Sequence, residues 1–436
     1  MKKLPFLFLF SIVFSLQNTF AQNESQKEEK PEFNVNAELR TRANILHGYK
    51  TLPTEENIAH FLVEQRTRLG FAYKTKQLEM NITIQDSRIW GDENLYTSTG
   101  IFGDTASIDL KEAWAKLNFN NFWSLKIGRQ AIQLDGGRLV AYRNWSNLSL
   151  SYDAALIQFH KNNFNLDIAM SYNNSLMNLF AAEYNHRKMK SLNYVYLKKK
   201  FNKDFMASMS SIFSGFQAEG SATTIYFKTS LGTYLKFDNK KTFARGEFYY
   251  QTGKNVEGVD VKAYFFSADL GYNIGKIYFG AGIDYMSGQN PNKSLTDEFQ
   301  AFDILYGTRF GYYGNLNYIV TPASTKYGGL VNPFLRLNFN FNEKNSLKTT
   351  FHTFQSAQNV VNPDDPGTFY KKSLGSELDV IYNYKFAKDI SIRAGYHLAF
   401  PSETMEIIKG IEPGTSQTPQ WFWLMFNFTP TLFSSK

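Results

Sequence analysis

Apolar and polar side chains alternate along most of this chain with a period of two residues. The segment FNVNAELRTRANI, which begins at Phe33, places Leu39 on one face and both Arg40 and Arg42 on the other. Successive side chains of a β-strand point to opposite faces of the sheet. The segment therefore predicts a strand with one apolar and one charged face.

The same pattern recurs in eighteen candidate strands. Most are about ten residues long, which is the length that crosses a bilayer at a tilt. They begin near Phe33, His60, Gln77, Ile108, Phe122, Leu150, Phe164, Leu192, Asp204, Thr223, Thr242, Lys262, Lys276, Asn332, Ser346, Ser376, Asp389 and Gln420.

The connections alternate between short turns and longer loops, the longest running from about Gly288 to Val331. An even number of strands with short turns at one end and long loops at the other is the plan of a bacterial outer-membrane barrel. A string of soluble sandwiches would also alternate, but it would need recurring linkers, which the sequence lacks. The predicted fold is all-β: a transmembrane antiparallel β-barrel of about 18 strands, with short periplasmic turns and long extracellular loops.

The N-terminal segment MKKLPFLFLFSIVFSLQNTFA has a basic start, an apolar run and a small-residue end. It predicts a signal peptide over residues 1–21, cleaved after Ala21. The polar residues 22–32 are predicted to form a flexible periplasmic lead-in, and 33–436 the barrel. No later segment has the eighteen consecutive apolar residues of a spanning helix.

Composition agrees with a barrel in a membrane. Aromatic residues make up 17% of the chain, yet the mean hydropathy is −0.36, as expected where one face of every strand is apolar and the other polar. The formal charge of +8 falls by two with the signal peptide, which is too small an excess to indicate nucleic-acid binding. Without cysteine, no disulfide or thiol chemistry is available.

The polar faces of barrel strands line the lumen, so the arginines of the first strand are predicted to point inward. If the following loop is symmetric about Pro53, Arg40 faces Arg66 across the first two strands. Like charges side by side repel, but a wet channel that admits anions tolerates them. The flanking pairs would join opposite charges, Glu38 with Arg68 and Arg42 with Glu64.

Two interpretations of this charged ladder stay open. It is either a structural network of arginine and glutamate that stiffens the wall, or a selectivity element for anions, and the two are compatible. The other inward charges are mixed with a slight basic excess. The many carboxylates argue against a purely anion-selective tunnel.

Several blocks of the sequence resemble the alginate export family of outer-membrane barrels. They are QDSRIWG at 85–91, EAW at 112–114, IGRQ at 127–130 followed by Arg138, and YYQTGK at 249–254. The resemblance implies an eighteen-stranded monomeric barrel with a basic selectivity region that passes an anionic polysaccharide outward.

By position in the matched blocks, the resemblance marks five arginines as pore-lining, of which Arg88 and Arg129 conflict with strict alternation. Alternation places both on the outer face, so each would need a β-bulge or a position beyond the lipid. After the fifth strand, the residues Asp135-Gly136-Gly137 predict an ordinary extracellular turn; the alternative is a loop folded back over the pore. The full predicted pore-lining set is Arg40, Arg42, Arg66, Arg68, Arg88, Arg129, Arg138, Glu38, Glu64 and Glu112.

No catalytic or metal site is expected. The six histidines are scattered, and no GxSxG or HExxH motif occurs. We therefore expect neither enzyme activity nor a cofactor.

The expected function is an outer-membrane channel that passes alginate-like anionic polysaccharide or small anionic solutes through an arginine-containing lumen. The expected partners are outer-membrane lipid and, because the last strand WFWLMFNFTPTLF is rich in aromatic residues, the barrel-assembly machinery. We expect a monomer that binds no nucleic acid. The alternative is a non-transporting receptor, adhesin or scaffold, and the loop 288–331 could be an inward constriction or an external binding loop.

Overall fold

The computed structural model describes residues 30–92, 108–320, 322–362, 365 and 367–435. The predicted signal peptide and most of the predicted lead-in lie outside these residues. No helix within the described ranges is long and apolar enough to cross a membrane. Strands dominate the described part of the chain.

The first half of the chain contains ten strands: β1 (Glu32–His47), β2 (His60–Lys74), β3 (Leu78–Ile89), β4 (Ile108–Asn118), β5 (Trp123–Gln130), β6 (Tyr152–Lys161), β7 (Phe164–Met170), β8 (Ser191–Lys200), β9 (Phe205–Gln217) and β10 (Ile225–Asp238). The second half contains β11 (Thr242–Gly253), β12 (Ala263–Ile274), β13 (Ile277–Met286), β14 (Leu330–Asn340), β15 (Asn345–Gln355), β16 (Val360–Val361), β17 (Phe369–Tyr370), β18 (Ser373–Ala387), β19 (Ile390–Pro401), β20 (Gln420–Phe428) and β21 (Thr431–Ser434). All except β16 and β17 belong to one sheet.

The sheet closes on itself, because β20 and β21 both pair antiparallel with β1. These two segments are halves of one strand, interrupted at Thr429 and Pro430, where the Pro430 carbonyl still accepts a hydrogen bond from the Ala37 N–H. Closure leaves no unpaired edge, which a strand in hydrocarbon cannot tolerate. The barrel has eighteen strands, as predicted, and each begins within three residues of its predicted start.

The two faces of the wall differ as alternation predicts. On β10, Leu231 and Leu235 are exposed on the outside, whereas Ser230 and Tyr234 are buried on the inside. An outer face of exposed aliphatic and aromatic side chains is stable only against lipid. The short connections lie at the periplasmic end, and long loops join the strands at the other end.

Two of the long loops fold into the barrel. We call residues 131–151, between β5 and β6, the first inner loop, and residues 287–329, between β13 and β14, the second inner loop. Their backbones meet: the Thr308 N–H donates to Gly137 O (2.8 Å) and the Tyr306 N–H to Leu139 O (2.9 Å). Their apolar residues form much of the buried core, which therefore lies inside the barrel. Of the two interpretations of the long loop, the structure shows the loop folded inward.

A third loop packs on the second inner loop. It carries the helix α1 (Glu403–Lys409), capped at its start by Ser402, and the Lys409 ammonium donates to Tyr318 O (2.8 Å) and Ser324 O (3.1 Å). Burial lowers the pKa of Lys409 to about 8. These hydrogen bonds hold the second inner loop from the extracellular side.

Gly307 allows the two inner loops to approach, because a Cβ there would lie 1.8 Å from the Arg138 carbonyl oxygen. We expect Gly307→Val to separate the loops while the eighteen strands stay folded, since strand pairing does not involve this position. Limited proteolysis of the refolded protein should then show faster cleavage within 131–151 and 287–329 than in the unaltered chain.

The matched control is Gly246→Val on β11, where an added Cβ would meet no atom within 4 Å. That variant should be cleaved at the original rate. Equal cleavage of the Gly307→Val and Gly246→Val proteins would contradict the tight packing of the inner loops.

Candidate functional site

The charged ladder lies on the inner face of β1 and β2 in the predicted register. Arg40 is directly opposite Arg66, Glu38 opposite Arg68, and Arg42 opposite Glu64. Arg42 Nε donates to Glu64 Oε2 (2.9 Å), but Glu38 Oε1 accepts from Arg66 Nε on the diagonal (3.0 Å). The direct neighbour Arg68 is 3.6 Å from Glu38. The predicted pairing of positions is therefore confirmed, with the ion pairs partly on the diagonal.

The central arginine pair anchors the first inner loop. Arg40 donates to the carbonyls of Asn144 (2.8 Å) and Trp145 (3.1 Å), and Arg66 to those of Asn144 and Ser146 (both 3.1 Å). Carbonyl oxygens replace water as partners, so the two guanidiniums are stable side by side although Arg40 is 5% and Arg66 1% exposed. This pair serves the structural role that sequence left open.

Arg138 anchors the same loop to the opposite wall. Its guanidinium donates to Asp284 (2.6 and 3.2 Å), Glu247 (3.5 Å) and Ser267 (3.2 Å) on β11 to β13, and it lies 3.6 Å from the ring centroid of Tyr312. Burial alone would lower the pKa of Arg138, but Asp284 and its other neighbours hold it well above the ordinary value. Arg138 is inside the lumen but fully enclosed, so its charge is neutralised within the protein.

The DGG segment is not an ordinary extracellular turn, and that prediction is wrong. Asp135 accepts hydrogen bonds from the hydroxyls of Tyr196 (2.6 Å) and Ser208 (2.7 Å) inside the barrel, and the Gly136 carbonyl accepts from Tyr312 (2.7 Å). Burial raises the pKa of Asp135. The turn is stable there because these hydroxyls replace the water that a surface turn would bind.

Two predicted pore-lining arginines lie on the outer face. Arg88 donates to Asp86 on its own strand (2.8 and 2.9 Å), and Arg129 pairs with Asp153 on β6 (3.0 Å). The pairing of β2 with β3 is continuous, and no bulge turns Arg88 inward. Strict alternation therefore describes both strands correctly, and the assignment by resemblance is wrong for Arg129. Arg88 lies at the extracellular end of β3 and is nevertheless among the residues that line a cavity of the lumen.

A β-bulge in β4 brings an unpredicted cation to the lumen. Lys111 has no direct partner on β3. Its ammonium donates to Leu150 O and Ser151 Oγ (both 2.6 Å) at the end of the first inner loop. The next residue, the predicted Glu112, accepts from Trp114 Nε1 (2.9 Å). Strict alternation cannot place two consecutive residues on one face, so the sequence pattern does not predict that Lys111 points into the lumen.

The second inner loop is held by side chains from both sides. Arg143 on the first inner loop donates to the carbonyls of residues 305–307 at 2.9 to 3.3 Å. From the wall, one Glu377 oxygen accepts the backbone N–H groups of Asn315 (2.5 Å) and Leu316 (2.8 Å). The two inner loops and the wall thus form one hydrogen-bonded unit.

A cavity of about 610 Å³ remains between the inner loops and β1 to β3 at the extracellular end, and we call it the vestibule. Its charged lining is predominantly basic. Among the described residues, five basic residues line it against two acidic ones: Arg42, Lys50, Arg88, Arg143 and Arg309 against Glu64 and Asp92.

Two of these arginines have unused hydrogen-bond donors. The Arg309 side chain donates no hydrogen bond to any residue that the structure describes, and its buried Nε has no partner. Arg42 is 6% exposed, and its Nη1 likewise has no partner. Hydrogen bonds to charged acceptors are stronger than those to neutral ones, so an anion is the kind of partner that such donors favour.

Aromatic side chains close the inner end of the vestibule. We call Trp145, Phe310, Trp421 and Trp423 the aromatic floor. Trp145 and Phe310, one from each inner loop, stack with centroids 3.9 Å apart and planes at 11°. Trp423 meets the Trp145 edge at 4.9 Å.

A second cavity of about 400 Å³ lies at the periplasmic end, and we call it the periplasmic cavity. It is also predominantly basic within the described part of the chain. Its charged lining is Lys344, Lys385, Lys388 and Arg393 against Glu343 and Asp389. Basic surfaces therefore occupy both ends of the lumen.

Apart from Lys111 on β4, the residues that sequence reasoning missed are on loops. Arg143 and Trp145 come from the first inner loop, and Arg309 and Phe310 from the second. The only available signal was local composition, since YRNW (142–145) and RFGYY (309–313) concentrate arginine and aromatic residues in segments without strand alternation.

The sequence of the chain matches one known protein family. The model of the family described as Alginate export matches residues 31–410, nearly the whole barrel. This chain belongs to the alginate export family. The family predicted from the sequence is thereby confirmed. No curated protein is significantly similar in sequence to the chain.

Several solved porin structures share the fold of this alginate export family member. Pseudomonas aeruginosa OpdL has a TM-score of 0.63 at 14% identity, covering 92% of this chain and 99% of its own. OccK1 (OpdK) of the same organism has a TM-score of 0.59 at 10% sequence identity, and the match covers 93% of this chain and 99% of OccK1. Acinetobacter baumannii OccAB4 has a TM-score of 0.58 at 12% sequence identity, and the match covers 94% of this chain and 100% of OccAB4. The protein is a porin-type channel barrel of the bacterial outer membrane, which is the predicted location.

Proposed function

We infer that this member of the alginate export family passes anionic solutes, either alginate-like polysaccharide or smaller anions, through its arginine-containing lumen. The observation that carries the proposal is the excess of basic residues at both ends: five against two in the vestibule and four against two in the periplasmic cavity. A cleft lined by one sign of charge raises the local concentration of oppositely charged solutes. Arg309 and Arg42 supply the unused donors.

The size of the vestibule favours short anions over a continuous polymer. Its volume of about 610 Å³ falls within the usual range for small-molecule sites, about 300–1,000 Å³. A polysaccharide chain would need both inner loops to leave the lumen. OpdK has been solved with vanillate, a carboxylate, which supports small organic acids or short oligouronates as cargo here.

In this proposal the barrel acts as a monomer in outer-membrane lipid, without a catalytic group, metal or cofactor. The signal peptide is removed after Ala21, residues 22–32 remain as a periplasmic lead-in, and the barrel-assembly machinery inserts the strands. A single closed barrel needs no second subunit to satisfy its backbone hydrogen bonds, which is consistent with a monomer.

The test is electrical recording from the refolded barrel in a planar bilayer under a salt gradient. We expect a reversal potential that indicates anion preference, and current block by oligouronates but not by neutral oligosaccharides of equal length. A cation preference, with no block by oligouronates, would contradict the proposal.

The contribution of the vestibule can be measured with Arg309→Gln. We expect the anion-to-cation permeability ratio to fall by about two- to fivefold, because one charge about 4 Å from a hydrated ion contributes about 1 kcal/mol. The matched control is Arg129→Gln, which removes a charge from the outer face and should leave the ratio unchanged. Equal ratios for both variants and the unaltered protein would show that Arg309 takes no part in selection.

A non-transporting receptor, adhesin or scaffold is the second candidate, because the inner loops and the aromatic floor occupy so much of the lumen. It predicts a sealed barrel. The absence of any conductance, at every voltage and with every anion tried, would favour this candidate and direct attention to the extracellular surface.

A further inference from the structure

Trp145 lies where the vestibule and the periplasmic cavity approach one another. Its ring centroid is 4.7 Å from the Arg42 guanidinium, which lines the vestibule, and 5.6 Å from the Arg393 guanidinium, which lines the periplasmic cavity. Both arginines are directly opposite Met425 of β20, one on each side of it. The indole therefore lies close to an arginine of each cavity.

These two arginines have more donors than partners. Arg42 donates to Glu64 through Nε and Nη2, but its buried Nη1 has no hydrogen-bond partner among the residues that the structure describes. The only side-chain hydrogen bond of Arg393 to a described residue is from Nε to Asn383 Oδ1 (2.8 Å). An aromatic ring attracts a cation but accepts no strong hydrogen bond from it, whereas a carboxylate accepts two in parallel from one guanidinium. A carboxylate is therefore a better partner for this arginine pair than the indole.

The Trp145 side chain can move without breaking a hydrogen bond. Trp421 donates to Asn44 (3.1 Å) and Trp423 to His397 (2.8 Å), and these bonds hold both indoles in place. Trp145 Nε1 donates to no residue that the structure describes. Its backbone, in contrast, is held through its carbonyl by Arg40. The indole is thus held by ring contacts, with Phe310 and Trp423 among them, on an anchored stretch of backbone.

We propose that Trp145 is a gate whose indole occupies an anion site between Arg42 and Arg393, and that an anionic solute opens the channel by displacing it. The proposal rests on the proposed function and adds its regulation. At rest, the stack of Trp145 on Phe310 separates the two cavities. A carboxylate that enters the vestibule competes for the guanidiniums, the indole rotates away from Phe310, and the cavities join.

The experiment compares single-channel records of the full-length barrel and its Trp145→Ala variant, without organic anions and with glucuronate. In the unaltered protein, glucuronate should raise the open fraction. In Trp145→Ala, the closed-to-open ratio without glucuronate should fall at least about tenfold, the combined size of an aromatic stack and a cation–π contact. Glucuronate should then have no further effect on the open fraction.

Two further variants complete the test. Trp123→Ala removes a half-exposed indole from β5 in the wall and should behave as the unaltered protein does. Phe310→Ala removes the stacking partner while keeping both arginines, so the ratio should fall but the response to glucuronate should persist. If Trp145→Ala fails to refold, the records of Phe310→Ala test by themselves whether the stack keeps the channel closed.

The outcomes separate the gate from the proposed function. An anion-selective channel in which Trp145→Ala and Phe310→Ala keep the original open fraction would overturn the gate alone. A cation-selective Trp145→Ala channel would overturn the anion proposal, and the displacement of the indole by anions with it. An anion-selective variant with a lowered closed-to-open ratio supports both.

Discussion

Replacing Arg138 by methionine is expected to raise the single-channel conductance several-fold, because it releases the far end of the first inner loop. The variant leaves Asp284 buried without its cation, while Glu247 keeps Arg245 (3.3 Å). Removing one partner of a buried ion pair costs about 3–5 kcal/mol. Local opening of a docked loop requires less free energy than unfolding of the barrel. The loop should therefore leave the wall while the strands remain paired.

Two measurements check this expectation. Single-channel conductance should rise and become noisier, and a protease should cut within 131–151, while the barrel still resists unfolding by urea in lipid vesicles. Arg129→Met is the matched control, because its pair with Asp153 is exposed and pairs of that kind contribute about 0–1 kcal/mol. If both variants conduct alike, Arg138 does not anchor the loop.

The second large effect is expected from the double variant Arg40→Met, Arg66→Met. It removes the donors to the carbonyls of residues 144–146 and leaves Glu38 without its closest cation. The near end of the first inner loop should detach, so conductance should rise. Ion selectivity should change little, since both guanidiniums are nearly inaccessible to a passing ion.

This result would separate the two roles that an inward arginine can have. Neutralising Arg309, which donates to no residue in the described part of the chain, should alter the reversal potential without a large change in conductance. The double variant should raise the conductance without a large change in the reversal potential. The control is Arg129→Met on the outer face. A strong loss of anion preference in the Arg40, Arg66 double variant would instead assign selection to the ladder itself.

The sequence predicts the barrel wall well, because the information for it is local. Alternation is read over a few residues, and the short turn signals set the strand number. The register of β1 and β2 followed from one assumption, a loop symmetric about Pro53, and it placed Arg40 opposite Arg66 correctly. Alternation also located Arg129 more reliably than its position in the family blocks did.

The lumen was much less predictable, because its contacts join residues far apart in the chain. Asp135 finds its partners on β8 and β9, and Arg138 on β11 to β13, and no short-range pattern encodes either choice. The stack of Trp145 on Phe310 joins two loops that carry no alternation. The bulge at Lys111 likewise depends on its neighbouring strand. The conformation of the loops, and with it most of the candidate site, is determined by contacts that exist only in the assembled barrel.

The anchoring of one loop at two opposite walls also constrains the order in which the protein can be assembled. Arg138 reaches Asp284, which follows it by 146 residues, and Asn144 reaches Arg40, which precedes it by 104. Both anchors form only when β1 and β13 face one another across the lumen, which requires the barrel to be closed. A barrel whose last strand has not yet joined β1 therefore carries an undocked loop with exposed apolar residues. Docking of the first inner loop is accordingly a late event, and its resistance to protease marks the completed barrel.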